Sequence, residues 1–356
     1  MNEIVYAYPK EFKDVLIDVP PEDLSWKSYT IKFNSPDRFQ IIRKIGRGTF
    51  STAYLGYDLE TENLVTIKVL RPIKKRTLTS EIMIVAHVSR LNCANLLTLV
   101  DVVREPITLN PSLIFPFVNS PDWKQLYATF NLYDVKFYLF NILLGLHSLH
   151  SAGIIHRDLK PGNILIDPSK RTLTIIDLGL ATYYTPGTQL SHKAGSRFYK
   201  APELLCGYVH YSYYVDIWAF GCIVLDMCVK RHPMWKARNN ADQLRKIVAV
   251  LGFDGLSAMV NKYHLKPELD LDTLAHYTSL DLMSFKDKTN SSTMSQELMD
   301  LVKLCFVYDP DERPSVTELI NLPVFDEVRE EALRLYEARN KQIDSLGINT
   351  DILVKK

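Results

Sequence analysis

The sequence predicts an α+β fold in two lobes, a small strand-rich lobe followed by a larger helical one. Between Phe39 and about Phe117 the chain reads as short β-branched runs separated by turn residues: FQIIRKIG, STAYLGYDL, NLVTIKVL, LLTLVDVV and SLIFPFV. After Ser120 and Pro121 the apolar spacing lengthens to that of helices. With 356 residues and 47% hydrophobic content, the chain is long enough to build more than one core.

Residues 1–38 are irregular but contain Tyr6, Tyr8, Trp26, Tyr29 and Phe33, aromatics that a solvated tail lacks, so this segment is expected to pack on the rest. In the strand-rich region (39–117), one helical pattern, LTSEIMIVAHVSRL, places Ile82, Val85, Ala86 and Ser89 on one face. The helical region (122–325) contains WKQLYATF, YDVKFYLFNILLGLHSLHSAG, YYVDIWAFGCIVLDMCV, NADQLRKIVAVLG and SQELMDLVKLCF. Residues 326–356 read as a charged tail, helical at first.

Composition excludes several classes. Forty-two basic residues face 41 acidic ones, so there is no global electrostatic case for nucleic acid, and an anionic partner must be met by a local patch. Five scattered cysteines without a C-x-x-C pair argue against a disulfide framework and a zinc site. The start MNEIVYAYPKEF lacks the basic and apolar regions of a secretory signal, and the longest apolar run, IWAFGCIVLDMCV, contains Asp226 and is shorter than the roughly 20 residues a membrane span requires. A protein of the cytoplasm or nucleus, without a membrane or nucleic-acid partner, is expected.

The chemistry lies in a series of short motifs. IGRGTFSTAYLG sets Gly46 and Gly48 between two strands, which fits neither the dinucleotide fingerprint nor a Walker A loop and leaves a glycine hairpin able to close over phosphates. Lys68 ends VTIK among apolar neighbours, where an ammonium needs a counter-ion, and Glu81 in the next helix is the candidate. HRDLKPGNILID places Asp158, Lys160 and Asn163 on a loop broken by Pro161 and Gly162 and anchored by the apolar run Ile164 to Ile166. LTIIDLGLA ends an apolar strand with Asp177, a carboxylate suited to Mg²⁺. APE follows at 201–203.

In that order and spacing these elements resemble the protein-kinase signature set, over roughly residues 39–325. Within that family the chain looks most similar to the catalytic subunit of casein kinase 2, on the phrases KIGRGTFS, FVNSPDWKQLY, YYTPGTQ, GSRFYKAPELL and YSYYVDIWAFGCI and on the length and aromatic character of the N-terminal run. The resemblance implies the bilobal kinase fold and ATP with Mg²⁺, and it admits GTP as an alternative donor. It implies that Asp158 orients the acceptor hydroxyl and takes its proton, and that Lys160 stabilises the charge on the transferring phosphoryl. Asn163 and Asp177 would ligate Mg²⁺, and Lys68, held by Glu81, would contact the phosphates. Ile45, Gly46, Gly48 and Ala53 would line the nucleotide site, together with Phe115 as gatekeeper, the Pro116 carbonyl and the Val118 N–H. Glu203 would pair with Arg313 as a brace, Asp216 would tether the catalytic loop, and His156 is read as a packed histidine.

The chain also departs from its relatives. Ala53 stands where a valine usually packs over adenine, and Gly162 where casein kinase 2 carries a histidine. Casein kinase 2 reads acidic sequences with a dense basic cluster; Lys74, Lys75 and Arg76 remain of it, followed by Thr77, Thr79 and Ser80, while Lys193, Arg197 and Lys200 are expected along the substrate cleft. His192, Lys193 and Ala194 occupy the place of an activating phosphorylation site, so constitutive activity is expected, with residues 1–38 holding the activation segment. Ile41, Tyr54, Ile67 and Val69 resemble the surface that takes a regulatory β subunit, against the alternative that some are core. The rival readings are a proline-directed, cyclin-dependent-like kinase and a pseudokinase scaffold.

Overall fold

The computed structural model describes residues 4–48, 51–71, 74–343, 349 and 351–355. The chain divides into two compact units. Asp18–Ser120, Leu165–Gly179 and Leu333–Lys356 form a sheet unit; Met1–Ile17, Pro121–Ile164 and Leu180–Ala332 form a helical unit.

The sheet unit opens with the short strand β1 (Tyr29–Ile31), followed by β2 (Phe39–Arg47), β3 (Ser51–Asp58), β4 (Leu64–Leu70), helix α1 (Lys75–Ser89), β5 (Asp101–Arg104) and β6 (Pro111–Pro116). The last five strands form one antiparallel sheet in the order β2-β3-β4-β6-β5. Alternation decides its faces: Val65 and Ile67 join Phe39, Val100, Val103 and Ile114 in a buried cluster, which leaves Lys68 to the opposite face. The expected strand LLTLVDVV is shorter than its composition suggests. Its first half is irregular because Leu97 donates to the Ile175 carbonyl while Ile175 donates to that of Asn95, so these backbone groups are satisfied outside the sheet. Helix α1 begins three residues earlier than its apolar spacing requires and buries Ile82, Val85, Ala86 and Ser89 as expected.

The chain continues through α2 (Trp123–Thr129), α3 (Leu132–Ser151), β7 (Ile154–Ile155), β8 (Ile164–Asp167), β9 (Thr172–Ile175) and β10 (Thr182–Tyr183), with β8 paired to β9 and β10 to β7. A capping box of Asn131 and Asp134 fixes the start of α3. Next come α4 (Pro202–Leu205), α5 (Tyr214–Val229), α6 (Asn240–Leu251), α7 (Asp254–Lys262), α8 (Gln296–Cys305) and α9 (Val316–Ile320). Every residue of α5 is buried, so the longest apolar run of the sequence is the central core helix; among the described residues no helix is long and apolar enough to cross a membrane. All five cysteines are free and buried.

The terminal segments are ordered parts of the fold. In the helical unit the Tyr208 hydroxyl accepts from Ala7 N–H (2.7 Å) and donates to the Val5 carbonyl (3.0 Å), the Tyr214 hydroxyl accepts from Lys10 N–H (2.8 Å), and the Tyr213 hydroxyl donates to the Phe12 carbonyl (3.0 Å). The tail forms helix α10 (Asp326–Ile343) and strand β11 (Leu353–Lys355). In the sheet unit Arg339 of α10 donates to Asn95 (3.3 Å), and β11 pairs antiparallel with β1, an arrangement nothing in the local sequence pattern announces.

Candidate active site

In the sheet unit, Gly46, Ala53, Lys68 and Leu113 are successive cross-strand partners and so form one row of the sheet. A glycine and an alanine beside Lys68 keep its surroundings open. Gly48 N–H donates to the Ser51 carbonyl (2.9 Å), closing the hairpin whose tip, Thr49 and Phe50, lies outside the described residues. The Lys68 ammonium stands 2.9 Å from Glu81 Oε1 and 2.9 Å from Asp177 Oδ1. Burial works against its charge, but the two carboxylates outweigh it and hold the ammonium well above its usual range. The φ of Asp177 is +64°, a left-handed conformation that costs a non-glycine residue about 1–2 kcal/mol. Gly179 follows without a side chain, where a Cβ would come within 3.4 Å of Asp177 Oδ1 and 3.5 Å of Glu81 Oε2. Phe115 is buried, and Pro116 lies on β6 opposite Val65, where its missing N–H is tolerated at the strand end. Ile45 is exposed on β2, and the Val118 carbonyl accepts from Ser120 N–H.

In the helical unit the loop of Asp158, Lys160 and Asn163 is tied from several sides. Buried Asp216, at the start of α5, accepts from His156 N–H (2.8 Å) and Arg157 N–H (2.9 Å), and its Oδ2 lies 3.0 Å from His150 Nε2. Burial alone would raise this carboxyl, but the hydrogen bond with His150 and the backbone donor overcome it and hold it below its ordinary value. His156 is fully buried, and its Nδ1 accepts from Asp158 N–H, which makes it a structural histidine. The Asp158 carboxylate receives Lys160 Nζ (2.7 Å) and Asn163 Nδ2 (3.2 Å) on Oδ2, and Ser196 N–H (2.7 Å) on Oδ1. Lys160 also donates to Ser196 Oγ (2.8 Å).

Asn163 gives its amide hydrogens to the carbonyl (2.9 Å) and carboxylate of Asp158, which leaves its oxygen as the end available to a cation. That oxygen, and the carboxylate of Asp177 in the sheet unit, are hard donors of the kind Mg²⁺ takes, so the residues present fit the metal the motif implies. Among the described residues no group of three or more His, Cys, Asp or Glu side chains forms a metal cluster. The predicted brace is fully buried: Arg313 and Glu203 make two hydrogen bonds of 2.7 Å, and Arg313 also donates to the carbonyls of Val307, Tyr308 and Tyr214.

The substrate candidates divide. Lys74, Lys75 and Arg76 are exposed at the N-terminus of α1, and Lys193 and Arg197 are exposed in the activation segment. Lys200 does not join them. It is buried and its ammonium donates to the carbonyls of His192 (3.4 Å) and Lys193 (3.2 Å), so it braces the segment from within, and desolvation holds its pKa below the ordinary value. Of the four surface candidates, Ile67 is core at 4% exposure and Ile41 is 53% exposed; these two and the other two, Tyr54 and Val69, line a concavity of about 260 Å³. Sequence reasoning missed Ser196, whose role depends on a contact with Asp158 across 38 residues of chain. The one local signal is Gly195 before it, where the backbone has φ +91° and a Cβ would sit 2.6 Å from the Arg157 carbonyl, two reasons for glycine.

The protein kinase domain model matches residues 39–325, and the chain belongs to that family. It is therefore a phosphotransferase of the class that uses ATP with Mg²⁺.

Proposed function

We propose that this kinase phosphorylates serine or threonine followed by acidic residues, in the manner of casein kinase 2, in the cytoplasm or nucleus, and that it is active without a phosphate on its own activation segment. The observation that carries the specificity is the start of α1. Lys74, Lys75 and Arg76 crowd the positive end of the helix dipole, with no acidic residue in the first turn and no side-chain cap, an arrangement that weakens the helix unless an anion meets it. Exposed Lys193 and Arg197 add to the same preference, thinned by the inward turn of Lys200.

Asp158 orients the acceptor hydroxyl and takes its proton, and Lys160 balances charge on the phosphoryl group in flight. Ser196 holds both in place. Lys68 would meet the nucleotide phosphates, and Asn163 and Asp177 would each offer an oxygen to Mg²⁺, which would neutralise phosphate charge. Activity without an activating phosphate is supported by the docking of residues 5–12 on Tyr208, Tyr213 and Tyr214, with Tyr213 in ring contact with Tyr184 of the activation segment. The concavity around Ile41, Tyr54 and Val69 is the proposed seat of a regulatory subunit. ATP is the proposed donor, with GTP as an alternative.

The test is transfer from labelled ATP with Mg²⁺, by phosphatase-treated protein, to a serine peptide with downstream aspartates and to a serine-proline peptide. The acidic peptide should be preferred, and reversing Lys74, Lys75 and Arg76 to Glu should raise its KM by about tenfold, roughly one charge-assisted contact, with kcat little changed. Preference for the proline peptide would favour the cyclin-dependent-like reading; no transfer to either would favour the scaffold.

A further inference from the structure

Arg157 precedes Asp158, and its guanidinium is held by neutral groups. Nε donates to the Leu180 carbonyl (2.6 Å) and Nη1 to the Tyr211 hydroxyl (3.2 Å), while that hydroxyl donates onward to the Ser191 carbonyl (2.8 Å). Leu180 and Ser191 both lie in the activation segment, 11 residues apart, and Tyr211 lies beyond it, just ahead of α5 and 1% exposed. The Arg157 backbone is fixed just as firmly. Its N–H is on Asp216, its φ is +65°, and Gly195 crowds its carbonyl immediately before Ser196, whose N–H binds Asp158.

We propose that Tyr211 is a positioning residue for phosphoryl transfer, its hydroxyl locking Arg157 to the activation segment in the place an anion on that segment could otherwise fill. A hydroxyl suits the position because it accepts from Arg157 and donates to Ser191 at once, whereas a phosphate dianion offers acceptors alone and would leave the Ser191 carbonyl without its donor. A phenol also brings this group on a rigid, buried ring, at little cost in side-chain entropy. Burial raises the Tyr211 pKa above its ordinary value against the opposing pull of Arg157, so the hydroxyl keeps its proton at physiological pH. The chain thus runs Tyr211, Arg157, Asp158, and its output is the placement of Ser196 and Lys160 against the catalytic carboxylate. This rests on the phosphotransferase assignment and not on the choice of peptide.

The experiment is steady-state kinetics of the full chain and of Y211F, R157K and the double variant, on whichever peptide the wild type phosphorylates best, below the unfolding temperature of each. Loss of one hydrogen bond to a charged group predicts a kcat of Y211F lower by about 10- to 100-fold, with KM for ATP and peptide within about twofold. The double variant should be no slower than the slower single one, because both break the same link. Phosphatase treatment of the wild type should leave kcat unchanged. The proposal is overturned by a Y211F kcat within twofold of wild type, by multiplicative losses in the double variant, by losses confined to KM, or by a phosphatase-sensitive wild-type rate. Absence of transfer by the wild type itself overturns the functional reading as well, and is seen before any variant is compared.

Discussion

Two charged clusters, one in each unit, are built from the same kinds of group and teach different things. In the sheet unit Lys68 bridges Glu81 and Asp177, with the Asp177 side chain 44% exposed. In the helical unit Glu203 and Arg313 are fully buried, bonded twice to each other, with the guanidinium completed by backbone carbonyls. The closed pair has no donor or acceptor to lend and can serve only the fold. The open cluster can exchange protein partners for phosphate and metal, so its electrostatics are available to a reaction. Burial, more than residue type, separates structural from functional charge.

The sharpest way to break this comparison is to neutralise the open side. Lys68→Met and Asp158→Asn should each lower kcat by about a thousandfold or more, with thermal unfolding within a few degrees of wild type, because the lost interaction is with transition-state charge. A large loss of stability in the Lys68 variant would show that the open cluster is structural after all, and one in the Asp158 variant would say the same of the loop that carries it. The reverse is expected of Arg313→Ala, which strands a buried carboxylate and should cost about 3–5 kcal/mol in urea unfolding. Combining Arg313→Met with Glu203→Leu should recover part of this, since no buried charge then remains.

Asp226 sharpens the comparison with a third case, a buried carboxyl that has hydrogen bonds but no cation. It accepts from the Tyr199 hydroxyl (2.7 Å) and Met234 N–H (3.0 Å), and burial pushes its pKa to about 7 despite them. Against an unfolded value of about 3.9, the folded chain holds a proton across that window that the unfolded chain releases. This group's contribution to stability is therefore present below about pH 4 and falls as pH rises to about 7, by at most about 1.4 kcal/mol per pH unit. Asp226→Asn should flatten that part of the stability profile; an unchanged slope would mean that Asp226 is ionised in the fold. The smallest effect is expected at the tail. Asn349 donates through its N–H to the Val100 carbonyl (3.1 Å) and through Nδ2 to Asp101 (3.0 Å), so ending the chain at residue 348 should cost on the order of 1–3 kcal/mol and speed hydrogen exchange in β1.

Much of this was legible in order along the chain. The lysine of β4, the glutamate of α1, the loop with Asp158, Lys160 and Asn163, and Asp177 after β9 could be named because each sits at a fixed place in a local pattern. The brace of Glu203 and Arg313 and the tether at Asp216 were legible for the same reason. Lys200 shows where this stops: it lies on the same short segment as Lys193 and Arg197, yet packing turns it inward. LLTLV has strand composition, but its first backbone groups meet Ile175 of β9 instead of the five-stranded sheet, which the chain joins only from Val100, whose N–H donates to the Ile114 carbonyl.

The sequence by itself determined the class of fold, the division into a strand-rich and a helical part, and the candidates for the reacting groups, since periodicity and motif spacing are properties of neighbouring residues. Only the tertiary structure decided which charges are closed and which open, that Ser196 joins Asp158 and Lys160, that Tyr211 holds Arg157, and that β11 returns to β1. Those outcomes depend on burial and on contacts between residues tens to hundreds of positions apart, and burial has no local signature.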